Sequence, residues 1–340
     1  GKQRADQRYG SADCAAYVDF RELLARDDID AVHIGTPDHW HAIMTITARQ
    51  AGKDVYLQKP ETLTLREGPL MVAAARRYGR VVSGGSQRVL GDYRGIVDPI
   101  WAGEIGQVKS IDISGGGPSM PCYLPAQSTP DDIDWDLWLG PAPWEPYHPG
   151  RCDGNFGTGG NSWRSYVDYS GGSLTDWGAH HFGGAIFAAN LRELQPERVT
   201  FHAPVDGEQA YVSVTYPNGV EIFHNRPAKL RPDPKTAPSV AHQGSILIVG
   251  DGRSSEGKPV PLYRNGEGSI YGDFIECVKT RERPFRDIEL AANTMTAPHL
   301  IAIAYRLGRS LRWNREAQRF VDDSQADRLL DRARREPWLL

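Results

Sequence analysis

The sequence predicts two fold classes in succession: an incomplete doubly wound α/β domain of the Rossmann type with a parallel sheet, then an α+β domain whose open, mainly antiparallel sheet is covered by helices on one face. Three observations carry this. Short apolar runs alternate with helix-length amphipathic segments over residues 1–106. Beyond Gly106 the pattern turns to period-two strands joined by Gly-, Pro- and Asn-containing turns. No G-x-G-x-x-G fingerprint occurs anywhere, although a dinucleotide fold normally opens with one.

The elements follow in order. Lys2–Tyr9 is expected as a short helix closed by Gly10, and residues 20–26 as another helical patch. Residues 31–35 (AVHIG) read as a buried strand, 41–52 as a helix ended by Gly52, and 54–58 as a second strand. Residues 65–78 have apolar side chains at helical spacing and end at Gly79; 81–83 are a third short strand and 93–102 a further helix. Strands separated by helices of this length imply right-handed crossovers and parallel pairing. This domain is assigned to residues 1–106, and the second, α+β domain, to 107–340.

In the second domain residues 108–114 alternate as a strand with one exposed face. Residues 115–172 hold many Gly, Pro and aromatic residues and are expected to be ordered and functional, being too long for a plain loop. A helix at 176–190 follows, then strands at 198–203, 209–216, 220–225 and 245–249, and closing helices at 270–279, 289–311 and 324–335.

Composition narrows the function. The chain has 340 residues and a net charge of −4, which gives no reason to expect nucleic acid or an anionic membrane as partner. No apolar run approaches the ~20 residues of a membrane helix. The four cysteines show no metal-clip or redox spacing and leave the compartment open, with the cytoplasm favoured. Many of the nine tryptophans and 14 tyrosines fall between Trp135 and Trp177, which suits sugar binding and suits packing equally.

Three motifs carry candidate chemistry. Thr36-Pro37-Asp38-His39-Trp40-His41 follows a buried strand, and ligands of open parallel sheets bind beyond the strands' carboxyl ends. The plain reading makes Pro37 a turn former and Asp38 a helix cap. Gln58-Lys59-Pro60 ends the next strand and projects Lys59 toward the same crevice, whereas an ordinary surface lysine would merely be solvated. Residues 171–181 (GGSLTDWGAHH) place Asp176 and His180 at i and i+4 on one helical face, with Trp163, Arg164 and Tyr169 just upstream. Asp176 read alone would again be a cap.

Taken together, TPDHWH at 36–41, QKP at 58–60 and GGSLTDWGAHH at 171–181 resemble the Gfo/Idh/MocA family of sugar oxidoreductases. Residues 134–149 (DWDLWLGPAPWEPYHP), 304–314 (AYRLGRSLRWN) and 335–340 (REPWLL) look like one branch of it, so the likeness runs the length of the chain. The resemblance implies NAD or NADP as cofactor and a sugar or polyol as substrate. Lys59 matches the lysine of the family's E-K-P motif, and Asp176 and His180 match its D-x-G-x-H. Thr36, Pro37, Asp38, His39, Trp40, His41, Gln58 and Lys59 would border the cofactor; Trp163, Arg164, Tyr169 and His181 would wall the substrate. Related proteins pair through the open sheet, which implies a homodimer or homotetramer.

The sequence departs from the family pattern at Gln58, where glutamate is usual, and at Gly183, where aspartate is common. The nearest approach to the glycine fingerprint, Gly157-Thr158-Gly159, has Ser162 in place of the third glycine. By the family's layout Gly1 falls just after the second strand, so a strand–helix–strand unit of ~50 residues is expected to be absent, and dinucleotide binding by this chain is expected to be weak. On the implied mechanism His180 is the base that takes a hydroxyl proton, Lys59 stabilises the oxygen as it becomes negative, and Asp176 orients the pair. Two rivals stand beside it: a glycoside hydrolase or lyase working through transient oxidation, and a non-catalytic binding or assembly protein. A metal site built from His39, His41, His180 and His181 is weighed and not adopted.

Overall fold

The computed structural model describes residues 1–153, 162–205, 207–253, 255–266 and 268–340. Gly157-Thr158-Gly159 lies outside the described residues.

The first sheet has three parallel strands in sequence order, β1 (Ala31–Ile34), β2 (Asp54–Leu57) and β3 (Val82–Gly84). Helices α1 (Lys2–Tyr9) and α2 (Phe20–Leu24) precede it, and α3 (Asp38–Gln50) and α4 (Glu67–Arg77) make the crossovers. β2 is buried on both faces, as a run of apolar residues between crossover helices requires. Beyond β3 the sheet is continued by a single antiparallel bridge, Ser83 to Asp287, with Gly84 N–H donating to Arg286 O at 2.8 Å. A segment of the second domain thus caps the end of β3.

α3 begins three residues earlier than its expected start at His41. Pro37 takes the N-cap position with φ −58°, close to the value its ring imposes, and helical geometry begins at Asp38. Asp38 is therefore not the cap; its side chain makes no capping hydrogen bond and is buried.

α5 (Arg94–Trp101) leads into an eight-stranded sheet with strand order β11-β10-β5-β6-β7-β4-β9-β8. Its strands are β4 (Val108–Ile113), β5 (Arg198–His202), β6 (Tyr211–Thr215), β7 (Glu221–His224), β8 (Ser239–His242), β9 (Ile246–Gly250), β10 (Leu311–Asn314) and β11 (Arg319–Phe320). All pairs are antiparallel except β4 with β7, so the sheet is mixed. Val199, Val214, Ile222, Ile111 and Ile248 stand in register across five strands, fully buried. They form the core face under α9 (Gly178–Ala188) and α11 (Ile288–Leu307). In the alternate rows Thr200, Ser213, Phe223, Asp112, Leu247 and Ala241 align on the opposite face.

Three helix expectations are corrected. The helix expected at 176–190 is two pieces, α8 (Ser173–Asp176) and α9, separated at Trp177. The one expected at 289–311 stops at Leu307, where Gly308 takes a left-handed φ of 63° and frees the chain to enter β10. The closing helix expected at 324–335 is only one turn, α12 (Ser324–Asp327). Beyond it tertiary anchors replace the helical ladder. Leu330 O accepts from Arg66 N–H, Arg335 N–H donates to Pro141 O, and Arg334 pairs with Glu67 and Asp331.

The aromatic stretch contains α6 (Trp135–Leu139), α7 (Pro149–Cys152) and a 3-10 turn at Trp163–Ser165. Trp135, Tyr147, Trp163, Tyr166 and Tyr169 are all buried with Leu139 in a separate small core. Trp135 and Trp138 stack at 4.8 Å between centroids. Most of these rings serve packing: a stretch this poor in regular structure has no ladder to hold it and is held by ring contacts instead.

Candidate active site

Each strand of the parallel sheet delivers a residue to one crevice at its carboxyl end: Thr36 after β1, Lys59 after β2 and Ser86 after β3. Gly85 lets these ends approach, because a Cβ there would sit 2.5 Å from Leu57 O and 2.8 Å from Gln58 Cα. The opposite wall is the α8–α9 pair from the second domain. Lys59 Nζ donates to Asp176 Oδ1 at 2.7 Å and to Asp176 O at 3.2 Å. Arg164 Nε donates to the same Oδ1 at 3.3 Å. Trp163 holds the guanidinium in place, with Arg164 Cζ 4.1 Å from the centre of the indole. Asp176 is thus oriented by two cations and makes no helix cap, since Gly172 is the N-cap of α8.

His180 is buried, one turn further on, with Nδ1 at 3.1 Å from Ser86 Oγ. Burial is the largest cause that lowers its pKa, followed by the charges of Lys59, Arg88 and Arg286, and together they bring it to about 3. Its imidazole is neutral at physiological pH. Asp38 lies behind this group. Burial foremost, with Asp176 adding to it, pushes its carboxyl up to about 8 against a lowering hydrogen bond from Ser170. Asp38 Oδ2 and Thr36 Oγ1 are buried without a hydrogen-bond partner among the described residues.

The other expected site residues are placed elsewhere. Trp40 is 3% exposed and packs against Phe20 and Trp338, its N–H donating to Trp138 O at 3.2 Å. His39 sits between the rings of Trp138 and Tyr169, with Nε2 at 3.0 Å from Trp138 O. Tyr169 is fully buried in the same layer. These three fasten α3 to the aromatic core and do not wall the crevice; α3 starts early enough to turn their positions inward. His41 bridges the two strand-end loops, with Nδ1 2.7 Å from Pro60 O and Nε2 2.9 Å from Thr36 O. His181 faces Tyr93 O–H at 2.9 Å and stacks on Trp177. The four histidines weighed as a metal site are therefore dispersed. Gln58 Oε1 accepts from Lys59 N–H at 3.3 Å, a local turn contact.

Sequence reasoning missed Ser86 and the buried pair beneath it, Arg286 Nη2 to Glu61 Oε1 at 3.0 Å. The strand-end rule that singled out Thr36 and Lys59 applies equally to Ser86. A cavity of about 570 Å3 opens behind the turn that carries Asp176, lined by Gly171, Thr175, Ile303, Tyr305 and Arg332, but none of Lys59, Asp176 or His180 lines it.

A parallel α/β domain facing a helix-backed open sheet, with lysine, aspartate and histidine gathered where they meet, defines a two-domain protein of the dehydrogenase type. Two family models match it. The Gfo/Idh/MocA model for the NAD-binding Rossmann fold covers residues 1–86, and the model for the C-terminal alpha/beta domain covers residues 120–340. The chain belongs to the Gfo/Idh/MocA oxidoreductase family.

Curated relatives match only over short stretches. The Rhizobium meliloti oxidoreductase ORF334 is 34% identical over 97 residues, 28% of this chain and 29% of that protein. Glycosyl hydrolase family 109 protein 1 of Shewanella sp. (strain ANA-3) is 45% identical over 60 residues, 18% of this chain and 13% of that protein. Among solved structures, the WlbA dehydrogenase of Bordetella pertussis, in complex with NADH and UDP-GlcNAcA, superposes with a TM-score of 0.57 at 16% identity, covering 92% of this chain and 86% of that one.

Proposed function

We propose that this protein is an NAD(P)-dependent oxidoreductase that moves hydride between a sugar or polyol carbon and the nicotinamide. The observation that carries the reading is the contact of Lys59 with Asp176 across 117 residues of sequence, with neutral His180 beside them. A packing role for Lys59 or Asp176 would not need a buried, shared carboxylate at a strand's carboxyl end. Lys59 is 18% exposed in its side chain, close enough to solvent to meet an incoming oxygen and stabilise negative charge on it. His180 handles the hydroxyl's proton, and Asp176 fixes the ammonium in place and offsets its charge.

The nicotinamide supplies the hydride acceptor when bound. The residues present fit that end of the cofactor: buried Thr36 Oγ1 and Asp38 Oδ2 lack partners among the described residues at the carboxyl end of β1, where a polar ligand group would meet them. A glycine-rich cradle for the pyrophosphate is not found among the described residues. Turnover assayed at saturating NAD or NADP should give reduced nicotinamide from a sugar or polyol. No turnover with any polyol at saturating cofactor would sink the reading. The stretch shared with a family 109 glycosyl hydrolase favours a second reading, redox-assisted glycoside cleavage. Release of the aglycone without accumulation of reduced nicotinamide would select it.

We assign self-association to the face of the eight-stranded sheet opposite the helices, where Arg226 covers Asp112 and Phe223 and Thr200 and Ala241 keep some exposure. Light scattering at micromolar concentration should give the mass of a dimer or tetramer, and a monomer would overturn the assignment.

A further inference from the structure

Ser86 is fully buried, and its hydroxyl lies 3.1 Å from His180 Nδ1. A serine hydroxyl has one proton to give and lone pairs to accept with, whereas a neutral imidazole has one N–H and one lone pair. Two arrangements satisfy the distance. If Nδ1 carries the proton and donates to Ser86, the hydroxyl's own proton has no acceptor, because His180 Nδ1 is its one hydrogen-bond partner among the described residues. If Ser86 donates to Nδ1, the enclosed hydroxyl proton and Nδ1 satisfy each other, and the donor left over is Nε2–H, on the less enclosed side of the ring. Burial decides between them, since an enclosed donor without an acceptor forfeits its hydration with nothing in return.

The surroundings act the same way. The charges that most lower the pKa of His180 are those of Lys59, Arg88 and Arg286, and ammonium and guanidinium groups offer donors only. Arg286 Nη1 and Ser86 Oγ lie 3.6 and 3.5 Å from one point, the site a Cβ would occupy on Gly183. Those distances place the guanidinium in the same pocket as the hydroxyl, where it can offer no acceptor to the hydroxyl's proton. His180 Nε2 has no hydrogen-bond partner among the described residues and is not sealed off from the crevice.

We infer that Ser86 is a positioning residue that fixes His180 as the Nε2–H tautomer, so that the site presents an N–H, not a lone pair, to the substrate oxygen. This rests on the reading of the crevice as the reaction site and reverses the resting role the sequence assigns to His180. The resting protein is set to hold an acceptor oxygen, as in a ketone. An alcohol binds through its lone pair, and its proton can reach His180 only after the tautomer reverses.

The test is the long-range proton–nitrogen spectrum of the whole chain labelled with 15N in its histidine rings, at neutral pH. His180 is identified among the ten histidines by the signals missing from His180→Gln. The expected wild-type pattern is protonated Nε2 with an unprotonated, hydrogen-bonded Nδ1. Ser86→Thr should keep it, and Ser86→Ala should move only His180 toward a mixture of tautomers. A wild-type spectrum with Nδ1 protonated overturns the inference by itself, even if Ser86→Ala fails to fold, and so does a Ser86→Ala spectrum with His180 unmoved. No turnover enters this measurement. An inactive protein with the Nε2–H pattern refutes the proposed function alone, and an active one with the Nδ1–H pattern refutes this inference alone.

Discussion

His180→Ala is expected to lower turnover by about 10²–10⁴-fold with the fold intact. Whether the imidazole takes a proton or donates a hydrogen bond, on the proposed function alanine removes the group that α9 offers to the substrate oxygen, and water has no fixed orientation there. The fold should survive because, among the described residues, the ring's only side-chain hydrogen bond is to Ser86, whose hydroxyl can turn to water admitted by the shorter side chain. Circular dichroism and the unfolding midpoint check the fold, and kcat with the best polyol checks the loss. The pH profile adds a sharper readout. His180 has its pKa lowered to about 3, so its protonation should put no acidic limb on the rate between pH 5 and 8. The same shift bears on stability: a group whose folded pKa is depressed binds its proton more readily when unfolded. That contribution is present above the unfolded value of 6.5 and is lost as pH falls from there toward about 3. Unchanged turnover in His180→Ala would show the crevice to be inherited shape without working chemistry.

How far the site could be read from the sequence depends on what each residue type has to do. Lys59 and Asp176 were legible because a strand-end lysine and an i, i+4 Asp–His pair each imply a direction, and the two directions meet. The structure joins them at 2.7 Å. The parallel order of β1, β2 and β3 followed from alternating strand and helix periods in the same way. Trp40, His39 and Tyr169 were not separable from binding residues, because an aromatic ring at the edge of a crevice and one a turn deeper share every sequence property. What decides is where α3 starts, and Pro37 moved that start by three residues. β10 was hidden at the end of an apolar helical run, where only Gly308 marks the change. The residues after Asp327 keep helix-compatible composition but are held by distant partners such as Pro141, Glu67 and Trp40, and no local period reports such contacts. Ser86 lacked any signature beyond its place after a three-residue strand.

Gly140→Ala should destabilise the protein by about 3–5 kcal/mol, a large part of an ordinary domain's stability. Gly140 ends α6 at φ 49° and ψ −118°, a conformation that residues with a Cβ avoid. A Cβ there would also sit 2.1 Å from Trp40 Cζ2 and 2.4 Å from its Cε2, far inside contact distance. The indole cannot move aside. Trp338 meets it edge-on at 4.7 Å and Phe20 at 5.6 Å, and its N–H is committed to Trp138 O. Nor can the backbone yield freely, because Gly140 N–H donates to Asp136 O and its carbonyl accepts from Arg335 Nε at 3.1 Å. The substitution therefore sets three elements against one another: α3, which leads out of the Thr36–Asp38 loop, the aromatic core, and the C-terminal strap. The control is Gly115→Ala, at an exposed position with open space around it, expected to stay within about 0.5 kcal/mol of the wild type. Urea unfolding followed by tryptophan fluorescence reads both, with the midpoint lowered and the slope unchanged for Gly140→Ala. A midpoint shift no larger than the control's would mean that the C-terminal strap detaches from α3 at little expense, and that the Trp40–Trp338 contact does not hold the two domains in register.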